Sequence, residues 1–240
     1  MSFGAAAPRR LRMKNKEKIS YFVALLLIPA VVFGGAYLFR DKQYAWITLA
    51  VAVLSCIPFY LSFENGKADS IKIVLISVLT ALSVVGRFIF APLPGFKPVT
   101  AFVVITAMYF GGEAGFITGS LSAVISNFTF GQGPWTPFQM FIWGMIGLVA
   151  GLIAEPLKKS RVLLILYGAL SGVLFSVLMD IWTVLWADGF FNFPRYAAAI
   201  VSSLPFMAIY AVSNVVFLLA LERPIGKILD RVKTKYGIHL

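Results

Sequence analysis

Long apolar segments separated by short polar turns run through most of the chain, from about residue 19 to residue 221. A helix needs about 20 apolar residues to cross a bilayer, and most of the segments approach that length. The strict apolar and polar alternation of a membrane β-barrel does not occur in the sequence. The pattern therefore predicts an all-α, polytopic membrane protein.

Eight apolar runs predict eight helices. Basic tails cover 1–18 and 223–240, a two-helix hairpin covers 19–69, and a six-helix core covers 70–222. The core runs are 71–91, 98–110, 114–130, 138–155, 162–186 and 196–221. The runs 98–110 and 114–130 are short enough for a re-entrant pair, but two full helices are expected because small residues recur at helical spacing in the second run.

The helix-packing stripes are formed by small residues four or three positions apart. One stripe consists of Gly115, Gly119 and Ala123, and the glycines at 144, 147 and 151 form a second stripe in the next run. Small side chains let helix backbones approach closely in a membrane. We expect these stripes to face neighbouring helices.

Composition agrees with a multi-pass protein of the cell membrane. Of 240 residues, 60% are apolar and 13% charged, and mean hydropathy is +0.87. The net charge of +11 does not indicate nucleic-acid binding, because most of the 21 basic residues lie in the tails and in alternate turns. Cytoplasmic segments carry such an excess, so both termini are predicted to be cytoplasmic.

Three aromatic loops, 92–97, 130–136 and 187–195, fall on the predicted outer side. Each contains Gly or Pro, as ligand-facing loops commonly do, although an interfacial turn with rings at headgroup level has the same composition. We expect them to close over one ligand, with Trp135 as the main contact and Trp182, inside a span, as an independent control. The candidate residues are Phe96, Lys97, Asn127, Phe130, Gln132, Trp135, Thr136, Gln139, Phe190 and Arg195.

Two charged residues inside apolar runs, Arg87 and Asp180, are further candidates because charge is costly in lipid. Both are predicted near the outer helix ends, where they would form an ion pair with each other or contact a ligand. Ser213 and Asn214 are expected to make hydrogen bonds between helices.

Enzyme chemistry is not indicated. The single histidine, His239, lies in the C-terminal tail, so neither a serine–histidine dyad nor a His-Glu-x-x-His zinc site is available, and no phosphate-binding Gly-x-x-x-x-Gly-Lys motif occurs. We expect no cofactor and no metal. An ion-coupled secondary transporter is the main rival, but it would show repeats and several intramembrane acids, whereas Asp180 is the one candidate acid.

Several motifs together resemble the substrate-binding S components of energy-coupling factor (ECF) vitamin transporters, from about residue 71 to residue 221. They are Gly86-Arg87-Phe88, Pro98-Val99-Thr100, Gly111-Gly112-Glu113-Ala114-Gly115 and the stretch 126–137. The chain is most similar to the cobalamin-type branch.

The resemblance implies a subunit that captures a vitamin outside the cell and then docks on a membrane T subunit driven by two cytoplasmic ATPases. Cobalamin or cobinamide is the first expectation, and riboflavin, thiamine or a modified base are alternatives. The family's docking pair, Ala-x-x-x-Ala, corresponds here to Ser77 and Ala81.

Overall fold

The computed structural model describes residues 22–31, 34, 50, 54, 70–133, 135–188 and 191–236. The predicted tail 1–18, most of the predicted hairpin, Phe190 and residues 237–240 lie outside this part of the chain. Within the hairpin region, Val23–Leu27 forms a π-helical turn. Val23 and Ile28 are buried against the hydrophobic core.

From residue 70 onward the described chain is almost entirely helical and contains no strand. The helices are α1 (Ser70–Ile89), α2 (Val99–Phe110), α3 (Gly112–Phe130), α4 (Trp135–Leu152), the short α5 (Ala154–Lys159), α6 (Arg161–Asp188) and α7 (Phe193–Tyr236). Four of them, α1, α4, α6 and α7, are long and apolar enough to cross a membrane. The all-α membrane class is confirmed, while the number of spans and the orientation remain predictions.

Helix α2 is shorter than the full crossing that its sequence was expected to make. Its 12 residues are all buried, and at 1.5 Å per residue they span about 18 Å. Pro98 precedes the helix, and Gly111 ends it with a φ of 94°, a backbone conformation that side chains other than glycine rarely adopt. The surrounding helices therefore shield α2 along its whole length.

Helices α3 and α4 approach so closely that their backbones touch. A Cβ atom built on Gly119 would lie 2.4 Å from the carbonyl carbon of Trp143, and one on Gly147 would lie 2.4 Å from the carbonyl carbon of Gly115. At the far end, a Cβ on Gly151 would lie 2.1 Å from the Gly112 nitrogen. The two predicted small-residue stripes thus face each other, as expected.

Hydroxyl groups join α1 to α3 along a polar seam. The Thr80 and Thr118 hydroxyl oxygens lie 3.4 Å apart, and Ser122 donates to the Ser83 hydroxyl at 2.9 Å. All four side chains are buried. Hydrogen bonds of this kind hold helices together where apolar contact alone gives little preference over lipid.

Helix α7 packs along α6 and fixes the loop that follows α1. Asn214 donates to the Gly168 carbonyl of α6 at 3.2 Å, so its predicted interhelical bond is confirmed. Ser213 accepts from the Lys97 backbone N–H at 2.8 Å and donates to the Lys97 carbonyl at 3.1 Å. The polar pair on α7 therefore holds both a neighbouring helix and a loop.

The glycine contact between α3 and α4 gives a stability prediction. Gly119→Ala should lower the melting temperature of the detergent-solubilised protein by several degrees, because overpacking typically costs about 1–3 kcal/mol. Gly34→Ala is the matched control: no atom of the described residues lies within 4 Å of a Cβ there, and alanine favours helix. Equal melting temperatures for the two variants would show that α3 and α4 are not packed this closely.

Candidate functional site

A cavity opens between the loop after α1 and the helices α4, α6 and α7. Its volume is about 90 Å³. Pockets that hold small organic ligands commonly have volumes of about 300–1,000 Å³, so a vitamin would bind here only if the lining side chains moved apart. The described residues that line it are Arg87, Gly95, Lys97, Val99, Thr100, Gln139, Trp143, Phe175, Tyr210 and Asn214.

Three aromatic rings form one side of the cavity. Trp143 of α4 stacks on Phe175 of α6 with ring centroids 5.2 Å apart and planes inclined by 16°. Tyr210 of α7 meets Phe175 edge to face at 5.3 Å. Such faces suit a flat apolar ring system, because aromatic pairs favour stacked and edge-to-face geometries.

Arg87, near the end of α1, is buried and reaches across to α3. Its Nη1 donates to the Ser126 hydroxyl and, at 2.8 Å, to the Asn127 Oδ1. Its guanidinium carbon lies 4.7 Å from the centroid of the Phe130 ring and 5.3 Å from that of Trp143. This charge is held by neutral groups and aromatic faces, which lower its burial cost only in part.

The partners of Arg87 continue as a hydrogen-bonded network through the loop after α3. Asn127 donates to Thr136 Oγ1 at 2.9 Å and to Gln139 Oε1 at 2.8 Å. Thr136 donates to Gln132 Oε1 at 3.0 Å, and Gln132 donates to the Val124 carbonyl at 2.8 Å. Most of the predicted polar residues are thus brought together, with Gln139 on the cavity and Thr136 fully buried behind it.

The loop after α1 brings a second positive charge to the cavity. Lys97 Nζ lies 4.8 Å from the Phe130 ring centroid. Partial burial lowers the pKa of Lys97 below its ordinary value, and the nearby positive charge of Arg87 lowers it further. Gly95 has a φ of 76°, and its missing side chain leaves room for Tyr210 on α7. A larger residue at 95 would push the loop away from the cavity.

The predicted ion pair between Arg87 and Asp180 is not formed. Asp180 instead accepts a hydrogen bond from Ser203 of α7 at 2.7 Å, and it does not line the cavity. Arg87 faces α3, whereas Asp180 lies on the side of α6 that meets α7. The depth that the sequence predicted for both residues therefore does not bring their side chains together.

Trp135, the predicted main contact, is outside the set of residues that line the cavity. Its ring meets Trp182 edge to face, with centroids 5.9 Å apart, and packs over Gly133. Trp182 is therefore a direct neighbour of Trp135 and does not serve as the independent control that its place in the span suggested.

The remaining aromatic and charged candidates also lie away from the cavity lining. Phe96 packs against Phe217, with centroids 5.0 Å apart, and Arg195 forms an ion pair with Asp188 at 2.7 Å. Phe190 belongs to the part of the chain that is not described. The loop 92–97 thus contributes to the cavity, but the described residues of 187–195 do not line it.

The sequence interpretation missed the three rings that line the cavity, Trp143, Phe175 and Tyr210. Each lies inside an apolar run, where an aromatic residue facing lipid, core or ligand has the same neighbours in sequence. Thr100 and Asn214 were also missed as lining residues, although Asn214 was recognised as an interhelical donor. No sequence pattern distinguishes these positions.

Comparison with known families places this geometry in context. The family described as ECF-type riboflavin transporter, S component, matches residues 67–230. No curated protein and no solved structure gives a significant match to the chain. The matched region contains every described residue that lines the cavity.

The match confirms the resemblance to ECF S components and does not support its cobalamin-type refinement, because the family is named for riboflavin. Members are membrane-embedded transporter subunits rather than enzymes, in agreement with the apolar helices of the fold. The chain belongs to the ECF-type riboflavin transporter S-component family.

Proposed function

We propose that this chain is the substrate-binding subunit of an ECF-type importer and that it binds a flat, heteroaromatic vitamin, riboflavin first, in the cavity described above. The observation that carries the proposal is that the stacked pair of Trp143 and Phe175 lines the same cavity as several polar side chains. A ligand pocket usually combines apolar faces with a few polar groups that fix orientation.

The ring system of riboflavin matches both halves of this cavity. Its dimethylbenzene edge is apolar and suits the aromatic side, whereas its opposite edge carries carbonyl oxygens and ring nitrogens. Arg87 and Gln139 supply hydrogen-bonding groups for that edge, and Thr100 and Asn214 lie on the same cavity. Each of these polar groups is positioned by a helix of the core rather than by a free loop.

Cobalamin and cobinamide, the first expectation from the sequence, fit less well. A corrin macrocycle with its amide side chains is much larger than a three-ring flavin, so it would require a much greater displacement of the side chains around a cavity of about 90 Å³. The family name also favours riboflavin. Thiamine and modified bases are smaller than a flavin, so they belong in the same binding assay.

Delivery of the vitamin is proposed to require a T subunit and two ATPases, because the sequence has no motif for holding ATP phosphates. An apolar groove of about 360 Å³ between α1 and α3 supports this proposal. Ser77 and Ala81 lie in the groove and are both exposed. Small side chains there would allow a partner helix to approach closely.

A secondary transporter finds less support in the cavity. Coupling to protons or sodium usually uses carboxylates beside the substrate, and none lines the cavity among the described residues. Asp180, the one acid that the sequence suggested for this role, accepts a hydrogen bond from Ser203.

Riboflavin binding tests the assignment of the cavity. Trp143→Ala should weaken riboflavin binding about thirtyfold, because truncating a buried aromatic contact commonly costs about 2 kcal/mol or more. Trp143→Phe keeps a flat ring and should retain most of the affinity. Trp135→Ala, in the same helix but off the cavity, is the control and should change affinity less than about threefold. The riboflavin affinity of each folded variant is measured by fluorescence titration. Equal losses of affinity in Trp135→Ala and Trp143→Ala would indicate that the ligand binds at the loop 130–136 instead.

Uptake experiments test the need for partners. Vesicles containing this chain alone should not accumulate riboflavin, whereas co-expression with T and ATPase subunits should give ATP-dependent uptake. Accumulation by the isolated chain in liposomes under a proton or sodium gradient would favour the secondary transporter instead.

Docking on α1 is tested separately from binding. Ser77→Leu and Ala81→Leu should reduce recovery of the T subunit in pull-downs while riboflavin affinity stays unchanged, because bulk would fill the groove without reaching the cavity. Ala198→Leu, at an exposed alanine on α7, is the matched control. Full recovery of the complex with both α1 variants would place the docking surface elsewhere.

A further inference from the structure

We infer that the C-terminal end of α7 carries a binding surface for the headgroups of anionic phospholipids. The surface is formed by four basic residues spaced four positions apart, Arg223, Lys227, Arg231 and Lys235, which are called the basic stripe below. None of them lines the cavity described above. The inference therefore stands whether or not riboflavin binds in that cavity.

Helix α7 is much longer than one membrane crossing requires. Its 44 residues span about 66 Å at 1.5 Å per residue, whereas the hydrocarbon core of a bilayer is about 30 Å thick. The apolar run ends at Leu221, and the helix continues to Tyr236. Residues 222–236 therefore emerge from the hydrocarbon, on the side that the sequence predicts to be cytoplasmic.

One face of this emerging segment is fixed to the core. Gly226 and Leu229 are buried, and a Cβ atom on Gly226 would collide with the Tyr109 hydroxyl of α2. Lys233 donates to the Tyr109 carbonyl, and its Nζ lies 5.3 Å from the centroid of the Phe110 ring. The segment is thus held at the end of α2, and its rotation about its own axis is set by these contacts.

The basic stripe lies on the other side of the same segment. At 100° per residue its centre is about 150° around the helix axis from the centre of the buried pair Gly226 and Leu229. All four stripe residues are exposed, and none of them has an ion-pair partner among the described residues. Residues 222–236 contain five basic residues and two acids, Glu222 and Asp230, so the segment keeps a net positive charge.

An anionic lipid surface is the partner that fits this arrangement. The stripe begins where α7 leaves the hydrocarbon, so its first residues border the lipid headgroups of the same membrane. Ile228, beside the stripe, is 59% exposed and offers apolar contact at the headgroup boundary. Basic clusters next to a transmembrane helix attract anionic lipids, and each basic residue near the surface raises the affinity about fivefold. An acidic protein surface is the alternative partner, and the experiment below separates the two.

Binding of tail-labelled lipids to the full chain in a neutral detergent tests the inference, with fluorescence anisotropy as the readout. We expect phosphatidylglycerol to bind at least tenfold more tightly than phosphatidylcholine with the same acyl chains, because only the former has a net negative charge. The preference should fall as salt rises. Free glycerol 3-phosphate has the charged group without the acyl chains and should not displace the labelled lipid.

Matched variants locate the binding surface. Lys227→Gln/Arg231→Gln should weaken phosphatidylglycerol binding at least tenfold and leave phosphatidylcholine binding unchanged. Lys158→Gln/Lys159→Gln removes the same charge from the same predicted side of the membrane and should change the affinity less than threefold. Both of these lysines already lie near a carboxylate, with Nζ atoms 3.7 and 3.8 Å from Glu155 oxygens.

The single variant Lys235→Gln, near the exposed end of α7, should weaken phosphatidylglycerol binding about fivefold and provides the test if the double variant does not fold. Equal affinities of the wild type for the two lipids, or equal losses in the two double variants, would overturn the inference. Displacement by glycerol 3-phosphate would show that the ligand is a free phosphate ester and not a lipid. Stripe variants that keep their lipid affinity but no longer recover the T or ATPase subunits would assign the stripe to a protein partner instead.

Discussion

Backbone contact between α3 and α4 is the constraint on which the rest of the core depends. Gly119 lies against the main chain of Trp143, and Gly147 lies against that of Gly115. With no side chain at these two contacts, the backbones themselves set how closely the helices approach. That position places the Trp143 ring against Phe175 on α6. The aromatic side of the cavity is therefore a consequence of glycine placement elsewhere.

The polar half of the site is organised by hydrogen bonds rather than by backbone contact. Arg87 is a buried charge whose described partners are uncharged, so the network of Asn127, Thr136 and Gln139 serves to orient it rather than to neutralise it. Hydrogen-bond networks in a low dielectric are strong when every member is satisfied. This network is satisfied around Asn127 and incomplete at Arg87. Arg87 is also one of the residues that line the cavity.

Sequence reasoning succeeded where residue type alone carries the information. Glycine spacing predicted the α3–α4 contact, and the cost of intramembrane charge singled out Arg87, which lines the cavity and whose contact with a ligand stays a prediction. It failed where the answer depends on which way a helix face points. Trp135 and Trp143 lie eight positions apart in one helix, about 80° around its axis, and only Trp143 lines the cavity. In a membrane, lipid-facing and core-facing positions are both apolar, so periodicity does not separate them. The partner of Asp180 was missed for the same reason.

Separating α1 from α3 would break hydrogen bonds of unequal importance along the polar seam between them. The Thr80 and Ser126 hydroxyls also donate to carbonyls of their own helices, at Ile76 and Ser122. Separating α1 from α3 would therefore leave few hydroxyl donors unpaired. The exception is Arg87, whose described hydrogen-bond acceptors are both on α3. Arg87, which also lines the cavity, is therefore the polar side chain of α1 that loses most when the two helices separate.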